Sequence, residues 1–184
     1  MAVLFDTSAL LLGLHPEAKP PVDPATGQPL EYAKQRVTYL IKSLSKARTK
    51  VIVPAPVLTE MLIGAGSAAN EYITNLQQSP FRVAPFDTRA AIECADLMAR
   101  NATRAKAPAN PRAKIKFDHQ IVAIAKVEQV ETIYSDDKDI HALASRAGIS
   151  VVRSFELQLD PAERQLSLLP REPDGHTKVQ EPKS

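Results

Sequence analysis

The sequence lacks several residues and segments that would place the protein outside the cytoplasm. Its 184 residues include one cysteine, Cys94, so no disulfide can form within the chain, which fits a reducing compartment. No apolar run approaches the roughly 18 residues of a membrane span. The apolar N-terminus has no basic segment before it and contains Asp6, unlike a signal peptide. We therefore expect a cytoplasmic protein without a membrane segment.

Aromatic residues and net charge are also low. Aromatics make up 5% of the chain, there is no tryptophan, and the formal net charge is +2. With so few aromatic side chains, base stacking is not expected to dominate any binding of nucleic acid. The hydrophobic fraction of 44% is ordinary, and the length is sufficient for the core of one domain.

Positive charge is concentrated in two stretches, 34–50 and 99–116, that contain no acidic residue. Such stretches are typical of contacts with a polyanion such as nucleic acid, but also of a solvated helix face and an exposed loop. The candidates for contacts with nucleic-acid phosphates are Lys42, Lys46, Arg112, Lys114 and Lys116. Contacts of this kind would provide salt-dependent affinity and little sequence discrimination.

Short apolar segments alternate with amphipathic segments along the chain. Strands are predicted at 2–5, 50–54, 81–86, 131–135 and 149–154, and helices at 7–12, 31–48, 56–62, 68–78, 88–101, 117–129 and 139–148. This alternation predicts an α/β fold, in which a mainly parallel sheet is covered by helices on both faces.

Three segments fall outside this alternation. Residues 15–30 are rich in Pro and are predicted to be a loop insertion, and 102–116 is predicted to be a basic loop. We expect residues 1–156 to form the domain. The polar, Pro-rich residues 157–184 are expected to be a largely disordered tail.

Acidic residues follow several of the predicted strands. They are Asp6 after the first strand, Glu60 early in the helix after the second, Asp118 at the start of helix 117–129, and Asp136, Asp137 and Asp139 after strand 131–135. Because the carboxyl ends of parallel strands share one edge of the sheet, we expect these side chains to lie close together. Each acid also has a local interpretation, as an N-cap, as a favourable charge near a helix N-terminus, or as a turn residue.

A group of carboxylates at one edge requires a cation. Two unit charges about 4 Å apart repel by about 4 kcal/mol at an effective dielectric constant of about 20. Oxygen ligands without nearby His or Cys suit Mg²⁺ or Mn²⁺ better than zinc. We therefore expect a divalent cation that could activate water and bind phosphate.

Four segments, taken in order, resemble the motifs of PIN-domain ribonucleases, and in particular the toxins of VapBC-type toxin–antitoxin pairs. The segments are LFDTSALL, VPAPVLTEML, KFDHQIVAIA and YSDDKDI, and the resemblance covers roughly residues 2–155. It implies a PIN-like three-layer α/β/α sandwich and Mg²⁺-dependent endonucleolytic cleavage of RNA, which leaves a 5′-phosphate and a 3′-hydroxyl. It also implies an antitoxin protein as partner and a homodimer.

The resemblance assigns roles to individual acids. Asp6 and Asp118 would bind the principal Mg²⁺, with Mn²⁺ as a possible substitute. Glu60 and Asp137 would complete the catalytic and metal site, and Asp139 is the alternative for the fourth acid. Asp136 belongs to the same run of acids, so the choice among the three late aspartates stays open.

Two hydroxyl residues, Thr7 and Ser8, match the pair that follows the first acid and would support the site. The chain departs from the family pattern at Ser135, where Thr is usual, and at Ile140, where an aromatic is common. The insertion 15–30 and the C-terminal tail are also additional.

Two other functions fit parts of the pattern. A Mg²⁺-dependent phosphohydrolase of the haloacid dehalogenase type would use Asp6 as nucleophile, but that family has a second Asp where this chain has Ser8. A PIN-like module that binds RNA or protein without cleavage is the other alternative. The presence of all four acids argues against it.

Overall fold

The computed structural model describes residues 1–15, 17–77, 81–102 and 112–162. Within these ranges, five strands form one sheet: β1 (Ala2–Phe5), β2 (Lys50–Pro54), β3 (Phe81–Ala84), β4 (Thr132–Tyr134) and β5 (Ser150–Val152). All neighbouring strands are parallel, in the order β3-β2-β1-β4-β5. The chain therefore builds the sheet outward from β1 in one direction, and then returns to the other side of β1.

The described helices cover both faces of this sheet. They are α1 (Thr7–Leu14), α2 (Ala33–Lys46), α3 (Ala55–Ala65), α4 (Ala69–Gln77), α5 (Thr88–Ala102), α6 (Arg112–Val127) and α7 (Lys138–Arg146). Parallel crossovers are right-handed, so connections that run in opposite directions along the sheet lie on opposite faces. Accordingly, α1 packs against α2 and α3, whereas α6 packs against α5 and α7. The predicted α/β/α sandwich with a parallel central sheet is confirmed.

The central strands are buried on both faces. Val3, Leu4 and Phe5 of β1 and the residues 51–53 of β2 have no exposed surface. A strand covered by helices on both sides is apolar throughout rather than alternating, which is why the sequence shows short continuous apolar runs. The core ends abruptly at Asp6, the residue after β1.

The structure differs from the sequence prediction most at the start of α6. This helix begins at Arg112, so the predicted loop 102–116 is wrong for its last five residues, and also for Ala102, which ends α5. Ala, Lys and Arg favour helix, and packing of α6 against α5 adds tertiary support. Consequently Asp118 lies inside the helix and does not open it. Residues 103–111 lie outside the described residues.

The insertion and the C-terminal segment are partly attached to the domain. In the insertion, Val22 and Pro29 form an antiparallel bridge, and Leu30 is buried. After β5, residues Ser154–Glu156 form a 3₁₀ turn, and Leu157 and Leu159 are buried. Residues 163–184 lie outside the described residues, so the disordered tail stays a prediction.

Across residues 1–15, 17–77, 81–102 and 112–162, no helix combines the length and the apolar character needed to cross a bilayer.

Candidate active site

A cavity of about 350 Å³ opens at the carboxyl edge of the sheet, beside β1 and β4. This is the point at which the strand order reverses, where open α/β sheets bind their ligands. The lining residues are Asp6, Thr7, Ser8, Glu60, Asp118, Ile121, Asp136, Asp137 and Ile140. The structure thus brings the four predicted acids and both predicted hydroxyl residues to one cavity.

Asp6 is both a helix cap and a lining residue of the cavity. Its Oδ1 accepts hydrogen bonds from the Ala9 N–H at 2.9 Å and from the Ser8 hydroxyl at 2.8 Å. Its Oδ2 accepts a hydrogen bond from the Ser135 hydroxyl. The two interpretations of Asp6 are therefore compatible, because the cap geometry itself holds the carboxylate at the edge of the cavity.

Burial makes the charged form of Asp6 costly. Desolvation raises the pKa of Asp6 to about 6, although the hydrogen bonds from Ala9, Ser135 and Ser8 lower it. The nearby charge of Asp136 makes a small contribution to the same rise. A carboxyl group that titrates near neutral pH in the absence of a cation has an environment that a bound cation would compensate.

Asp137 caps a second helix at the same edge. Its Oδ1 accepts a hydrogen bond from the Asp139 N–H at 2.7 Å, and its own N–H donates to the Ser135 hydroxyl at 3.1 Å. Asp139 is exposed and does not line the cavity. The geometry therefore favours Asp137 over Asp139 as the fourth acid.

Two buried serines connect the acids across the sheet edge. Ser135, at the end of β4, donates to Asp6 at the end of β1. Ser154, after β5, donates to Asp136 through its N–H at 2.9 Å and its hydroxyl at 2.5 Å. Sequence reasoning noted Ser135 only as a departure from the family Thr, and it missed Ser154 because no local signal links it to Asp136.

Glu60 and Asp118 reach the cavity from helices rather than from strand ends. Glu60 lies in α3, is exposed, and accepts a hydrogen bond from the Thr7 hydroxyl. Asp118 lies in α6 and is 8% exposed. Ile121, three residues later on the same helix face, lines the cavity beside it.

The donor set fits a hard cation better than a soft one. The side chains that line the cavity offer only oxygen atoms for coordination, which suits Mg²⁺ or Mn²⁺. In the described part of the chain, no three Asp, Glu, His or Cys side chains stand close enough to form a complete metal-ligand cluster. The acids surround the cavity without meeting at one point. Mg²⁺ does not require such a cluster, because it often binds one or two carboxylates and keeps several waters.

None of the candidate phosphate contacts whose side chains the structure describes lines this cavity. Lys42, Lys46 and Lys116 are exposed, and nothing is described of the side chains of Arg112 and Lys114. Lys46 ends α2 and precedes the start of β2, so it lies toward the amino edge of the sheet, opposite the cavity. Lys42 lines a smaller surface cavity of about 140 Å³, with Lys34, Gln35, Thr38, Tyr39 and Asp160.

Comparison with known proteins agrees with the fold and the motifs. The family model for the PIN domain matches residues 32–146, more than half of the chain. This range includes Glu60, Asp118 and the late aspartates. Comparison with curated protein sequences gives no match.

Two solved structures have the same fold. VapBC2 from Rickettsia felis, bound to a DNA fragment from its promoter, aligns with a TM-score of 0.56 and 12% identity over 83% of this chain and 98% of that one. DNA-bound VapBC from Salmonella typhimurium aligns with a TM-score of 0.54 and 16% identity over 84% and 98% of the two chains. At these identities the likeness concerns the fold alone.

Proposed function

The chain belongs to the PIN-domain family, and from this we infer that it is a metal-dependent endoribonuclease, the toxin of a toxin–antitoxin pair. One observation carries the proposal. Five acidic side chains from four separate segments of the sequence line one cavity at the point where the strand order reverses. None of the lining residues, all of them described, is Lys, Arg or His. A cavity with this charge suits a divalent cation and, through it, a phosphodiester.

Asp6 and Asp118 are the residues that would hold the principal cation, since both are buried. When bound, Mg²⁺ would offset the repulsion between the carboxylates and supply the Lewis acidity that phosphodiester cleavage needs. The hydroxyls of Ser8 and Ser135 orient the Asp6 carboxylate by donating to its two oxygens. Asp6 is therefore preorganised before any ligand enters.

Glu60 and Asp137 would orient the attacking water. Both are acceptors at the cavity wall, and Glu60 is the more exposed of the two. Water attacks phosphorus and releases a proton to solvent, the bond from phosphorus to the 3′ oxygen breaks, and that oxygen takes a proton from solvent. The products are a 5′-phosphate and a 3′-hydroxyl.

The experiment compares RNA cleavage by the full chain in Mg²⁺, in Mn²⁺ and in EDTA, with the fragment ends mapped. We expect EDTA to abolish cleavage, and Asp6→Asn or Asp118→Asn to reduce its rate at least about 100-fold, beyond the usual effect of losing an outer-shell partner. Asp87→Asn is the matched control, because Asp87 accepts a hydrogen bond from the Ala90 N–H at the start of α5 and does not line the cavity. It should cleave within about twofold of wild type, since Asn caps helices as well as Asp.

Cleavage that survives both substitutions at the wild-type rate would contradict the assignment. Binding of RNA without cleavage in either metal would favour the non-cleaving module instead. Hydrolysis of small phosphate esters with RNA left intact would favour a phosphohydrolase, although the match to the PIN domain weighs against that family.

An antitoxin partner and a homodimer complete the proposal. The acidic cavity is suited to receive a basic side chain of a partner, which would neutralise it in place of the cation. Growth arrest on expression of the chain alone, relieved by a small protein encoded beside it, would support the toxin role. Light scattering of the purified chain tests the dimer.

A further inference from the structure

The loop of residues 135–137, between β4 and α7, is held from both sides. On the β1 side, the Ser135 hydroxyl donates to Asp6 and accepts from the Asp137 N–H. On the β5 side, the Ser135 N–H donates to the Val152 carbonyl at 3.1 Å, and Asp136 accepts from Ser154. Every residue of the loop therefore takes part in a hydrogen bond to a neighbouring strand end or to another residue of the loop.

The contact between Asp136 and Ser154 restrains the carboxylate strongly. The Ser154 N–H donates to Oδ1 at 2.9 Å and the Ser154 hydroxyl donates to Oδ2 at 2.5 Å, so each carboxylate oxygen has its own donor. Hydrogen bonds to a charged acceptor are about twice as strong as neutral ones, and two parallel bonds also fix the plane of the carboxylate.

Ser154 is itself well anchored. It is 3% exposed and begins the 3₁₀ turn Ser154–Glu156, in which the Arg153 N–H donates to the Glu156 carboxylate at 2.7 Å. The guanidinium of Arg36 in α2 donates to the Leu157 carbonyl, and Leu157 is buried. Contacts with the rest of the domain therefore fix the position of Ser154. The hydrogen bonds from Ser154 in turn fix the position of the Asp136 carboxylate.

We propose that Asp136 and Ser154 form a positioning pair for the metal site: the pair fixes the loop that carries Asp137, and Asp136 is not itself a ligand. This inference rests on the proposed function, because it concerns the same cavity. It explains how two adjacent aspartates can line one cavity with different roles. Asp137 presents its side chain from a helix cap. Both oxygens of Asp136 bind Ser154, which does not line the cavity, whereas Asp6 is held in part by Ser8, which does line it.

The substitution Asp136→Asn distinguishes a positioning role of Asp136 from a role as metal ligand. Its carbonyl oxygen can accept from the Ser154 N–H, and its amide can donate to the Ser154 hydroxyl oxygen, so the pair persists without the charge. Asp136→Asn should therefore bind Mn²⁺ within about threefold of wild type. Asp137→Asn, which removes the charge of a proposed ligand, should weaken binding much more.

The experiment measures the Mn²⁺ dissociation constant by electron paramagnetic resonance and the RNA cleavage rate for each variant. We expect Ser154→Ala and Asp136→Ala each to weaken Mn²⁺ binding by about 10- to 100-fold, as outer-shell substitutions do. The double variant should be no worse than either, because both remove one interaction. Ser145→Ala, at an exposed position of α7, is the control and should behave as wild type.

Two results would overturn the pair. Asp136→Asn as damaging as Asp137→Asn would make Asp136 a ligand, and Ser154→Ala with wild-type Mn²⁺ affinity would remove Ser154 from the site. Thermal unfolding in EDTA shows which variants fold, and if Ser154→Ala does not fold, the comparison of Asn with Ala at position 136 still decides. A wild-type chain that binds Mn²⁺ but cuts no RNA refutes the nuclease and leaves the pair testable, whereas one that binds no Mn²⁺ refutes both.

Discussion

The turn after β1 and the turn after β2 bring acids to the same cavity in different ways. After β1, Asp6 is the first residue beyond the strand, caps α1, and is 3% exposed. After β2, α3 begins behind Pro54 without a side-chain cap, and the acid is Glu60, an exposed residue within the helix. The turn after β4 repeats the first arrangement, with Asp137 as the cap of α7.

This difference separates two kinds of site residue. Where an acid caps the helix, the same hydrogen bonds that start the helix also hold the carboxylate at the cavity. Where the acid lies within a helix, the packing of that helix sets its position, and one side-chain contact from Thr7 steadies Glu60. The positions of the capping acids, Asp6 and Asp137, should therefore depend strongly on the hydrogen bonds at the strand ends. The position of Glu60 should depend on them less.

The largest effect on RNA cleavage is expected when a capping acid loses its charge but the new side chain can still cap the helix. Asp137→Ser retains an oxygen that can accept from the start of α7, so the free energy of unfolding should stay within about 0.5 kcal/mol of wild type. RNA cleavage should fall at least about 100-fold, because the proposed ligand is lost. Urea unfolding in EDTA and cleavage assays measure the two quantities. If the cleavage rate falls only as far as the fraction of folded protein falls, Asp137 acts only as a cap.

The next effect is the pH dependence of the metal-free fold. The pKa of Asp6 is about 6 in the folded state, against an ordinary value of 3.8. At low pH Asp6 is protonated in both the folded and unfolded chain. Between about pH 4 and pH 6 the unfolded chain releases this proton while the folded chain keeps it, so the folded state loses stability relative to the unfolded one. Above about pH 6 both are ionised, and no further loss follows. Between about pH 4 and pH 7 this group should lower the free energy of unfolding by about 3 kcal/mol.

Asp6→Asn isolates this contribution, because Asn keeps the cap and does not titrate. Its unfolding free energy in EDTA should equal that of wild type near pH 4 and exceed it near pH 7. Mg²⁺ should raise the stability of wild type at pH 7, and that of the variant much less. Parallel pH profiles for the two proteins would show that Asp6 pays no burial cost.

A smaller effect on stability and metal binding is expected from substitution of Ser135, which forms hydrogen bonds with both capping acids, Asp6 and Asp137. Ser135→Ala removes one of three hydrogen bonds to Asp6 and the acceptor of the Asp137 N–H. We expect a loss of about 1–2 kcal/mol in stability and about tenfold weaker Mn²⁺ binding. Ser135→Thr, which restores the hydroxyl, should recover most of the affinity, and failure to recover it would argue against the hydroxyl as the cause.

The smallest effect on stability and cleavage is expected at Glu60, the acid that does not cap a helix. Thr7→Val keeps the shape of the side chain and removes the donor to Glu60. Because Glu60 is exposed and water can replace the lost partner, stability should change by less than about 1 kcal/mol and cleavage by about threefold at most. A loss of stability as large as that expected for Ser135→Ala would contradict the distinction between acids that cap a helix and Glu60, which does not.

Much of the fold could be predicted because its signals are local. The apolar runs of β1 and β2 indicate strands that are buried on both faces. Asp6 follows β1 directly, and Asp137 comes three residues after the end of β4, where each caps the next helix. The start of α6 was predicted wrongly, because the basic residues around 112–116 suggested a loop. Helix propensity and contact with α5 decided otherwise.

By itself, the sequence determined the succession of strands and helices along the chain, the apolar core and the acids at the strand ends, since each depends on residues a few positions apart. Only the tertiary structure decided which acids line the cavity and which serines hold them. Ser154 and Asp136 are 18 residues apart, and Ser135 and Asp6 are 129 apart. Their hydrogen bonds exist because β1 lies beside β4 and β4 beside β5 in the sheet. Strand order is a property of the whole packed chain, which no local pattern encodes.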